Sequence, residues 1–255
     1  MRFELDVDEH HTKITAIFEN DDSKIGKREE GIGTEITNLE TTLTYDYPIK
    51  NIHPDILGLV CMVNFFPFIG SSVEFPKPVS NRLYEAFQNK CFRDKKNIHF
   101  RNIDTSVPKY SGKSMAIAFG GGVDSTVTRM MFPEALVVHE AHIRDGKVLQ
   151  DKTCDYVRSI PNGRVVTSNQ RYVSRPGGWH SWPCSMVTSL LLATDNNVGI
   201  ILTGTVQESN YSLNGRRFID RWGQRALHGP SGNYWQSCFQ LIGIPLYSPV
   251  SGDIG

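Results

Sequence analysis

Residues 114–131 read SMAIAFGGGVDSTVTRMM and combine a short apolar run, three consecutive glycines and a helix-like segment that ends before Pro133. The apolar run predicts a buried strand, so the glycines form the turn between a strand and a helix. Glycines let a backbone approach a ligand closely, and the amides that open a helix point toward one spot at the positive end of its dipole. The turn therefore predicts an anion site, with phosphate as the favoured anion.

Apolar runs and helix-like segments alternate after this turn. ALVVH at 135–139, RVVTS at 164–168 and VGIILT at 198–203 predict strands, and residues 183–195 predict a helix. This alternation favours an α/β fold with a mostly parallel, Rossmann-like sheet, which we expect to occupy residues 111–255. Ligands of such sheets bind beyond the carboxyl ends of the strands.

The first part of the chain has a different pattern, in which strands come before helices. The predicted elements are a hairpin of strands at 2–7 and 14–18, an exposed loop at 21–33, a strand at 43–47, and helices that begin near Pro54 and Ser80. We expect residues 1–110 to form a small N-terminal β-then-α unit. Its residues do not indicate a role.

Composition and charge exclude several classes of protein. Lysines and arginines number 27 and are balanced by 27 aspartates and glutamates, which disfavours a sequence-independent nucleic-acid binder. The most apolar run, residues 56–70, is interrupted by Asn64 and Pro67 and is too short for a membrane span. The first residues lack the apolar core of a signal peptide, so a cytoplasmic protein without membrane contact is expected. The five cysteines are widely spaced, which favours buried reduced thiols over disulfides or a zinc site.

Two better-known phosphate loops fit this sequence less well. A GKS tripeptide resembles the end of a Walker loop, but it precedes the strand, and the earlier glycine of that motif falls on Val107. The dinucleotide fingerprint GxGxxG fits Gly120 and Gly122 but meets Ser125 at its third glycine. Glu140, near the end of the next strand, lies where a ribose-binding acid would lie. A dinucleotide-binding oxidoreductase therefore remains an open alternative.

The segment GGGVDS at 120–125 resembles the SGGxDS loop of the PP-loop ATP pyrophosphatase superfamily, whose members have an adenine-nucleotide α-hydrolase (HUP-type) fold. The segment TGTVQESNYS at 203–212 is similar to the corresponding part of the 7-cyano-7-deazaguanine synthases, the closest resemblance within the superfamily. The resemblance covers residues 114–250. Gly120 replaces the leading serine of the family, and the cysteine-rich zinc site near the family's C-terminus has no counterpart. We therefore expect either a truncated chain or a branch without that tail.

The resemblance implies an ATP-dependent adenylate-forming ligase or synthase that releases pyrophosphate and uses Mg²⁺. Its acceptor would be a nucleobase, an RNA or a protein. Asp124 and Ser125 are the implied catalytic residues, and Asp124 and Glu208 the implied magnesium ligands. The implied nucleotide-binding residues are Phe119, Gly120, Gly121, Gly122, Val123, Asp124, Ser125, Val138, His139, Gly204 and Thr205. The main chain of His139 is expected to matter more than its ring.

The missing hydroxyl at position 120 leaves a second interpretation open, a nucleotide-binding regulatory or scaffold protein without turnover. A monomer and a homo-oligomer are both compatible with the sequence.

Three further groups of residues have both a functional and an ordinary interpretation. Trp179 and His180 lie in a loop that could contact a base or phosphate, or could simply pack on the surface. Arg216 and Arg217 suit phosphate, although a solvated helix face is favoured. The HEAH sequence at 139–142 lacks the spacing of a zinc protease motif and is not expected to bind a metal.

Overall fold

The computed structural model of the chain describes residues 1–27, 33–36, 41–88, 97–149, 152–175, 182–204, 212–213, 216–217 and 230–250. The helices are α1 (Pro54–Phe65), α2 (Asn81–Gln88), α3 (Val123–Met131), α4 (Lys152–Ser159), α5 (Val187–Leu191) and α6 (Pro230–Ile242). The strands are β1 (Arg2–Val7), β2 (Thr12–Ile17), β3 (Ile25–Lys27), β4 (Gly33–Ile36), β5 (Thr42–Tyr45), β6 (Ser72–Val73), β7 (His99–Phe100), β8 (Ser114–Ala118), β9 (Leu136–Arg144), β10 (Lys147–Leu149), β11 (Gly163–Ser168), β12 (Ser174–Arg175), β13 (Val198–Thr203), β14 (Ser212–Leu213), β15 (Arg216–Arg217) and β16 (Leu246–Tyr247).

A sheet of nine strands forms the centre of the fold. Its order is β1-β2-β5-β11-β9-β8-β13-β16, with β10 paired to β9. The neighbours from β11 to β16 are parallel, whereas β1, β2 and β5 pair in antiparallel fashion. The chain is therefore an α/β protein with a mostly parallel central sheet and antiparallel N-terminal strands. This confirms the predicted fold class at that level.

The parallel strands reverse their order beside β8. In chain order they are β8, β9, β11, β13 and β16, and across the sheet they are arranged third, second, first, fourth, fifth. The chain first builds outward from β8 to β11 and then crosses back to place β13 on the other side of β8. In doubly wound sheets, ligands bind at the carboxyl ends of the strands where the order reverses. Here that point lies between the ends of β8 and β13.

The N-terminal strands extend this sheet and share its core. Tyr45 of β5 pairs with Ser168 of β11, and β2 and β1 follow outward from β5. Helix α1 packs against α5 and α6. Ile14, Val60 and Leu190 belong to the same cluster of buried apolar side chains. Residues on both sides of position 110 thus contribute to one sheet and one hydrophobic core.

Local signals in the N-terminal part are confirmed. Strands β1 and β2 form the predicted hairpin, whose turn is closed by Asp8 accepting bonds from two backbone amides. Helix α1 begins at Pro54, where the missing N–H of proline costs nothing. Ser80 caps α2, because its Oγ accepts a bond of 3.3 Å from the amide of Leu83.

Two segments differ from the prediction. The stretch 21–33 contains β3, which pairs with β4 in a small sheet completed by β12, so it is not wholly a loop. Arg216 and Arg217 form β15, which pairs with β14, and do not lie on a helix. The Asn-Gly sequence at 214–215 is typical of a tight hairpin turn, and this local signal outweighs the helical spacing of the arginines.

Helix α3 buries polar residues and exposes apolar ones. Ser125 and Thr128 are buried, whereas Val123 and Met130 are 78% and 75% exposed. A helix held by burial of an apolar stripe would show the opposite pattern. The buried face of α3 is therefore polar, and its exposed face is largely apolar.

Four of the five cysteines, Cys61, Cys154, Cys184 and Cys238, are buried thiols, as expected, and Cys91 lies outside the described residues. Within the described ranges, no helix has the length and apolar character needed to cross a bilayer.

Candidate functional site

A cleft of about 500 Å³ opens at the carboxyl ends of β8, β9 and β13, at the point where the strand order reverses. Its floor is the end of β8 with the glycine turn, and one side is the part of β9 that continues beyond β8. The lining residues are Ala118, Phe119, Gly120, Gly122, Asp124, Ser125, Val138, His139, Glu140, His142, Leu149, Arg171, Ser185, Met186, Thr203 and Gly204.

The glycine turn presents the first turn of α3 to this cleft. Gly122 is the residue before the helix, and no side chain caps the helix there. The amide of Thr126 makes the first helical bond, 3.1 Å to the carbonyl of Gly122. The amides of Val123, Asp124 and Ser125 consequently have no acceptor within the helix. These amides and the helix dipole favour an anion at this end of the cleft.

Each glycine of the turn has its own environment. Gly121 has a φ of 78°, and a Cβ there would collide with the side chain of Thr153 on α4. Gly120 and Gly122 have open space where a Cβ would lie. The turn therefore needs glycine at position 121 for its own conformation, whereas positions 120 and 122 leave room in the cleft.

Gly204 contacts the start of α3 from the end of β13. It follows β13, which pairs with β8 through Thr203 and Ala118. A Cβ at Gly204 would lie 2.6 Å from the nitrogen of Ser125 and 2.9 Å from the carbonyl carbon of Asp124. The ends of the two central strands and the start of α3 are thus packed backbone against backbone.

The predicted catalytic residues, Asp124 and Ser125, lie in the first turn of α3. Asp124 is half-buried and Ser125 is buried, and both line the cleft. The hydroxyl of Ser125 donates a bond of 3.0 Å to the carbonyl of Gly122, so it must turn to reach a ligand. Serine hydroxyls rotate at little cost.

His139 and Val138 fix the start of the turn from β9. The amide of Phe119 donates to the carbonyl of Val138 at 2.8 Å, and His139 Nδ1 donates to the carbonyl of Phe119 at 2.8 Å. The ring of His139 therefore has a direct structural task, which the sequence does not reveal. Of the remaining predicted residues, Gly121 and Val123 flank the cleft without lining it.

A polar wall lies on the β9 side of the cleft, and of its residues the sequence pointed only to Glu140, in the dinucleotide alternative. We use this name for Glu140, His142 and Arg171, with Ser168 behind them. Ser168 Oγ donates to Glu140 Oε1 at 2.9 Å, and His142 Nδ1 lies 3.5 Å from the same oxygen. Arg171 Nη1 donates to His142 Nε2 at 3.1 Å. Because β9 pairs with β8 only as far as Val138, its last residues rise above the turn and form this wall.

The polar wall connects to the N-terminal strands through Tyr45. Its hydroxyl donates to Gln170 Oε1 at 2.8 Å, and Gln170 Nε2 donates to the carbonyl of Cys184 at 2.6 Å. Burial, aided by the charge of Glu140, raises the pKa of Tyr45 well above its usual value, so the phenol stays a donor. The segment behind the wall is therefore held by buried hydrogen bonds.

Several predicted site residues fall outside the part of the chain that the structure describes. Thr205, Glu208, Trp179 and His180 lie outside the described residues, and the side chains of Arg216 and Arg217 do too. Ser185 and Met186, which follow Trp179 and His180 in the sequence, do line the cleft. Among the side chains that the structure describes, no three histidines, cysteines or acidic residues converge as metal ligands.

Comparisons of the chain with models of known protein families, with curated protein sequences and with solved structures found no match.

Proposed function

We propose that the chain binds ATP in the cleft and transfers its adenylyl group to an acceptor, releasing pyrophosphate. The observation that supports this most is the glycine turn, which directs the free amides of α3 into an open cleft at the reversal of strand order. A PP-loop, HUP-type assignment of the sheet belongs to the same proposal, and it rests on GGGVDS and on Gly204.

In this reaction an oxygen of the acceptor attacks the α-phosphorus of ATP and the bond to the β-phosphate oxygen breaks. The electron pair leaves with pyrophosphate, and an acceptor adenylate forms. Negative charge grows on the leaving group, so the protein contributes mainly positioning and electrostatic stabilisation. The amides of Val123, Asp124 and Ser125 would bind the phosphates, and the Ser125 hydroxyl would add a donor once it turns from Gly122.

Asp124 fits a role in magnesium binding. Mg²⁺ is commonly held by one or two carboxylates together with substrate phosphates, and Asp124 is a half-buried carboxylate beside the predicted phosphate site. A bound magnesium ion would neutralise part of the phosphate charge. Without it, the carboxylate of Asp124 would repel the phosphates, so ATP binding is expected to require the ion.

A second candidate function is dinucleotide binding. Glu140 lies in the cleft, twenty positions after Gly120 and on the strand that follows the turn, which is the place of the ribose-binding acid in dinucleotide enzymes. An oxidoreductase would bind NAD without a metal ion. That difference separates the two functions.

The first experiment is a thermal melt of the full chain with Mg²⁺ and ATP, with ATP and a chelator, and with NAD. A ligand at one hundred times its dissociation constant stabilises the native state by about 2.7 kcal/mol, which raises Tm by several degrees at this size. We expect a rise with Mg²⁺ and ATP that the chelator removes. A chelator-insensitive rise with NAD alone would establish the second function, and no rise with ATP would overturn the first.

Variants and products make this test specific. Asp124→Asn should lose the magnesium-dependent rise, whereas Asp155→Asn, at an exposed carboxylate on the neighbouring helix α4, should keep it. Slow turnover of ATP with water as acceptor should yield AMP and pyrophosphate. ADP and phosphate as products would contradict adenylyl transfer.

A further inference from the structure

Glu140 has a buried carboxylate oxygen for which the described residues provide no hydrogen-bond donor. The residue is only 8% exposed, and it lines the cleft. Oε1 accepts the bond from Ser168, whereas Oε2 has no hydrogen-bond partner among the described residues. Buried charged oxygens are nearly always hydrogen-bonded, because their lost hydration is otherwise uncompensated. An unsatisfied one in a cleft wall indicates a donor supplied by a ligand.

The position of this carboxylate relative to the glycine turn is well defined. Val138 binds the amide of Phe119 at the start of the turn, and Glu140 is two residues further along β9. Two residues of strand span about 7 Å and return to the same face of the sheet. Glu140 therefore lies about 7 Å further along β9 than the residue that binds the start of the glycine turn, on the same face of the sheet.

The neighbours of Glu140 hold it in place without using Oε2. Arg171 can only donate, so His142 Nε2 accepts from it and the ring proton lies on Nδ1, facing Glu140 Oε1. Oε2 itself is buried, while Glu140 is one of the residues that line the cleft. The last torsion of a glutamate is broad, so Oε2 can turn toward a ligand bound there.

The chemistry of the nucleotide then limits what Glu140 can bind. Phosphates at neutral pH only accept hydrogen bonds, and a carboxylate only accepts them too. The donors of an adenine nucleotide are the ribose 2′ and 3′ hydroxyls and the amino group of the base. The ribose is the part adjoining the phosphates. Resting on the proposed function, we propose that Glu140 binds the ribose hydroxyls of the bound nucleotide and makes the cleft selective for ribonucleotides over deoxynucleotides.

This proposal is tested by titration calorimetry of the full chain with Mg²⁺ and ATP, 2′-deoxy-ATP, 3′-deoxy-ATP or inosine triphosphate. A hydrogen bond to a charged acceptor corresponds to a change in affinity of about tenfold or more. We expect ATP to bind at least ten times more tightly than one of the deoxynucleotides, and inosine triphosphate to bind as tightly as ATP.

Two substitutions assign the selectivity to the carboxylate. Glu140→Ala should weaken the affinity for ATP about tenfold and should bind ATP and the deoxynucleotides with equal affinity. Glu140→Gln, which keeps the shape of the side chain, should reduce the ratio of the affinities for ATP and the deoxynucleotides. Glu134→Gln, at an exposed position between α3 and β9, should keep the wild-type ratio.

The outcomes separate this inference from the proposed function. If the wild-type chain binds ATP and both deoxynucleotides equally, ribose recognition is wrong and the ATP site stands. A Glu140-dependent preference for ATP over inosine triphosphate would also overturn it, because the carboxylate would then bind the base. If no nucleotide binds, the proposed function fails, and this inference fails with it.

Discussion

Gly204 packs directly on the backbone of Ser125, so that a Cβ on Gly204 would lie 2.6 Å from the Ser125 nitrogen. Gly204 follows β13, and Ser125 lies in the first turn of α3, so this contact joins the two elements that flank the reversal of strand order. It sets the direction of the amides that open α3. The contact therefore holds the first turn of α3 against the end of β13.

Gly204→Ala should therefore destabilise the fold more than Gly122→Ala does. The added methyl group at position 204 overlaps the backbone of Asp124 and Ser125, and overpacking of this kind typically costs about 1–3 kcal/mol. Gly122 has open space at the same place, so its alanine variant should lose no more than about 1 kcal/mol. Urea unfolding of both variants measures the difference. Equal stability of the two would show that α3 tolerates displacement at Gly204.

Gly120→Ser should increase turnover. Position 120 has open space where a Cβ would lie and borders the cleft, so a serine hydroxyl can be added without displacing a neighbour. If the site stabilises a developing negative charge, one added donor is worth up to about a hundredfold in rate. The measurement is pyrophosphate release from ATP, with Gly120→Ala as the control that adds a methyl group and no hydroxyl. A serine variant no faster than the alanine variant would contradict this role of the hydroxyl.

Much of this architecture can be predicted because its signals are local. The strand, glycine turn and helix at 114–131 follow from apolar runs and glycine placement, and the start of α1 follows from Pro54. The pairing of β5 with β11 could not be predicted, because it joins Tyr45 to Ser168 across more than a hundred residues. No local pattern encodes which edge of a sheet an N-terminal hairpin will extend.

The candidate site divides in the same way. The glycine turn was predicted because three consecutive glycines stand between an apolar run and a helix-like segment, and Gly121 has the positive φ that favours glycine. Gly204 was predicted through the family resemblance at 203–212. The polar wall was missed because it depends on how far β9 runs beyond β8, which is a property of strand pairing. The only signal in the sequence was the spacing of Glu140 from Gly120, which we attributed to a dinucleotide alternative alone.

Protonation of His53 should make the fold less stable below about pH 6.5. Its Nδ1 accepts a bond of 3.2 Å from the amide of Asp55 as the cap of α1, and Nε2 donates to the carbonyl of Pro108 at 3.0 Å. Burial lowers the pKa of His53 below its usual value. As the pH falls, the unfolded chain therefore takes up the proton before the folded one does. The stability that neutral His53 provides is lost as the pH falls from about 6.5 through the pKa of His53 in the folded state.

The measurement is Tm as a function of pH from 7.5 to 5 for the wild type and His53→Asn. Asparagine keeps a capping oxygen and does not titrate. We expect the wild type to lose more stability than His53→Asn as the pH falls below 6.5. His10→Asn, in the exposed β1–β2 turn, should behave like the wild type. Parallel losses in the wild type and His53→Asn would exclude His53 as the source.

Asp55→Ala should cost far more stability than Asp104→Ala, although each aspartate accepts bonds from the amide and the hydroxyl of one serine. Asp55 is fully buried and accepts bonds of 2.7 Å from both the amide and the hydroxyl of Ser80, which joins α1 to the cap of α2. Asp104 accepts from the amide and hydroxyl of Ser106 at 2.8 and 2.6 Å in an exposed turn. Removing the buried carboxylate leaves two donors without water or protein, a loss of about 1–3 kcal/mol for each unsatisfied group. Water replaces the exposed carboxylate, so Asp104→Ala should change stability little.

Urea unfolding of Asp55→Ala, Ser80→Ala and the double variant measures how strongly the pair is coupled. Because the two residues are in direct contact, the double variant should lose less stability than the sum of the single losses. Additive losses would show that Asp55 stabilises the fold through other neighbours, of which Arg82, whose nearest nitrogen lies 4.0 Å from Asp55 Oδ2, is the first to test. Burial of the two bonds between Asp55 and Ser80 would then not be the cause of the difference in stability between the Asp55 and Asp104 variants.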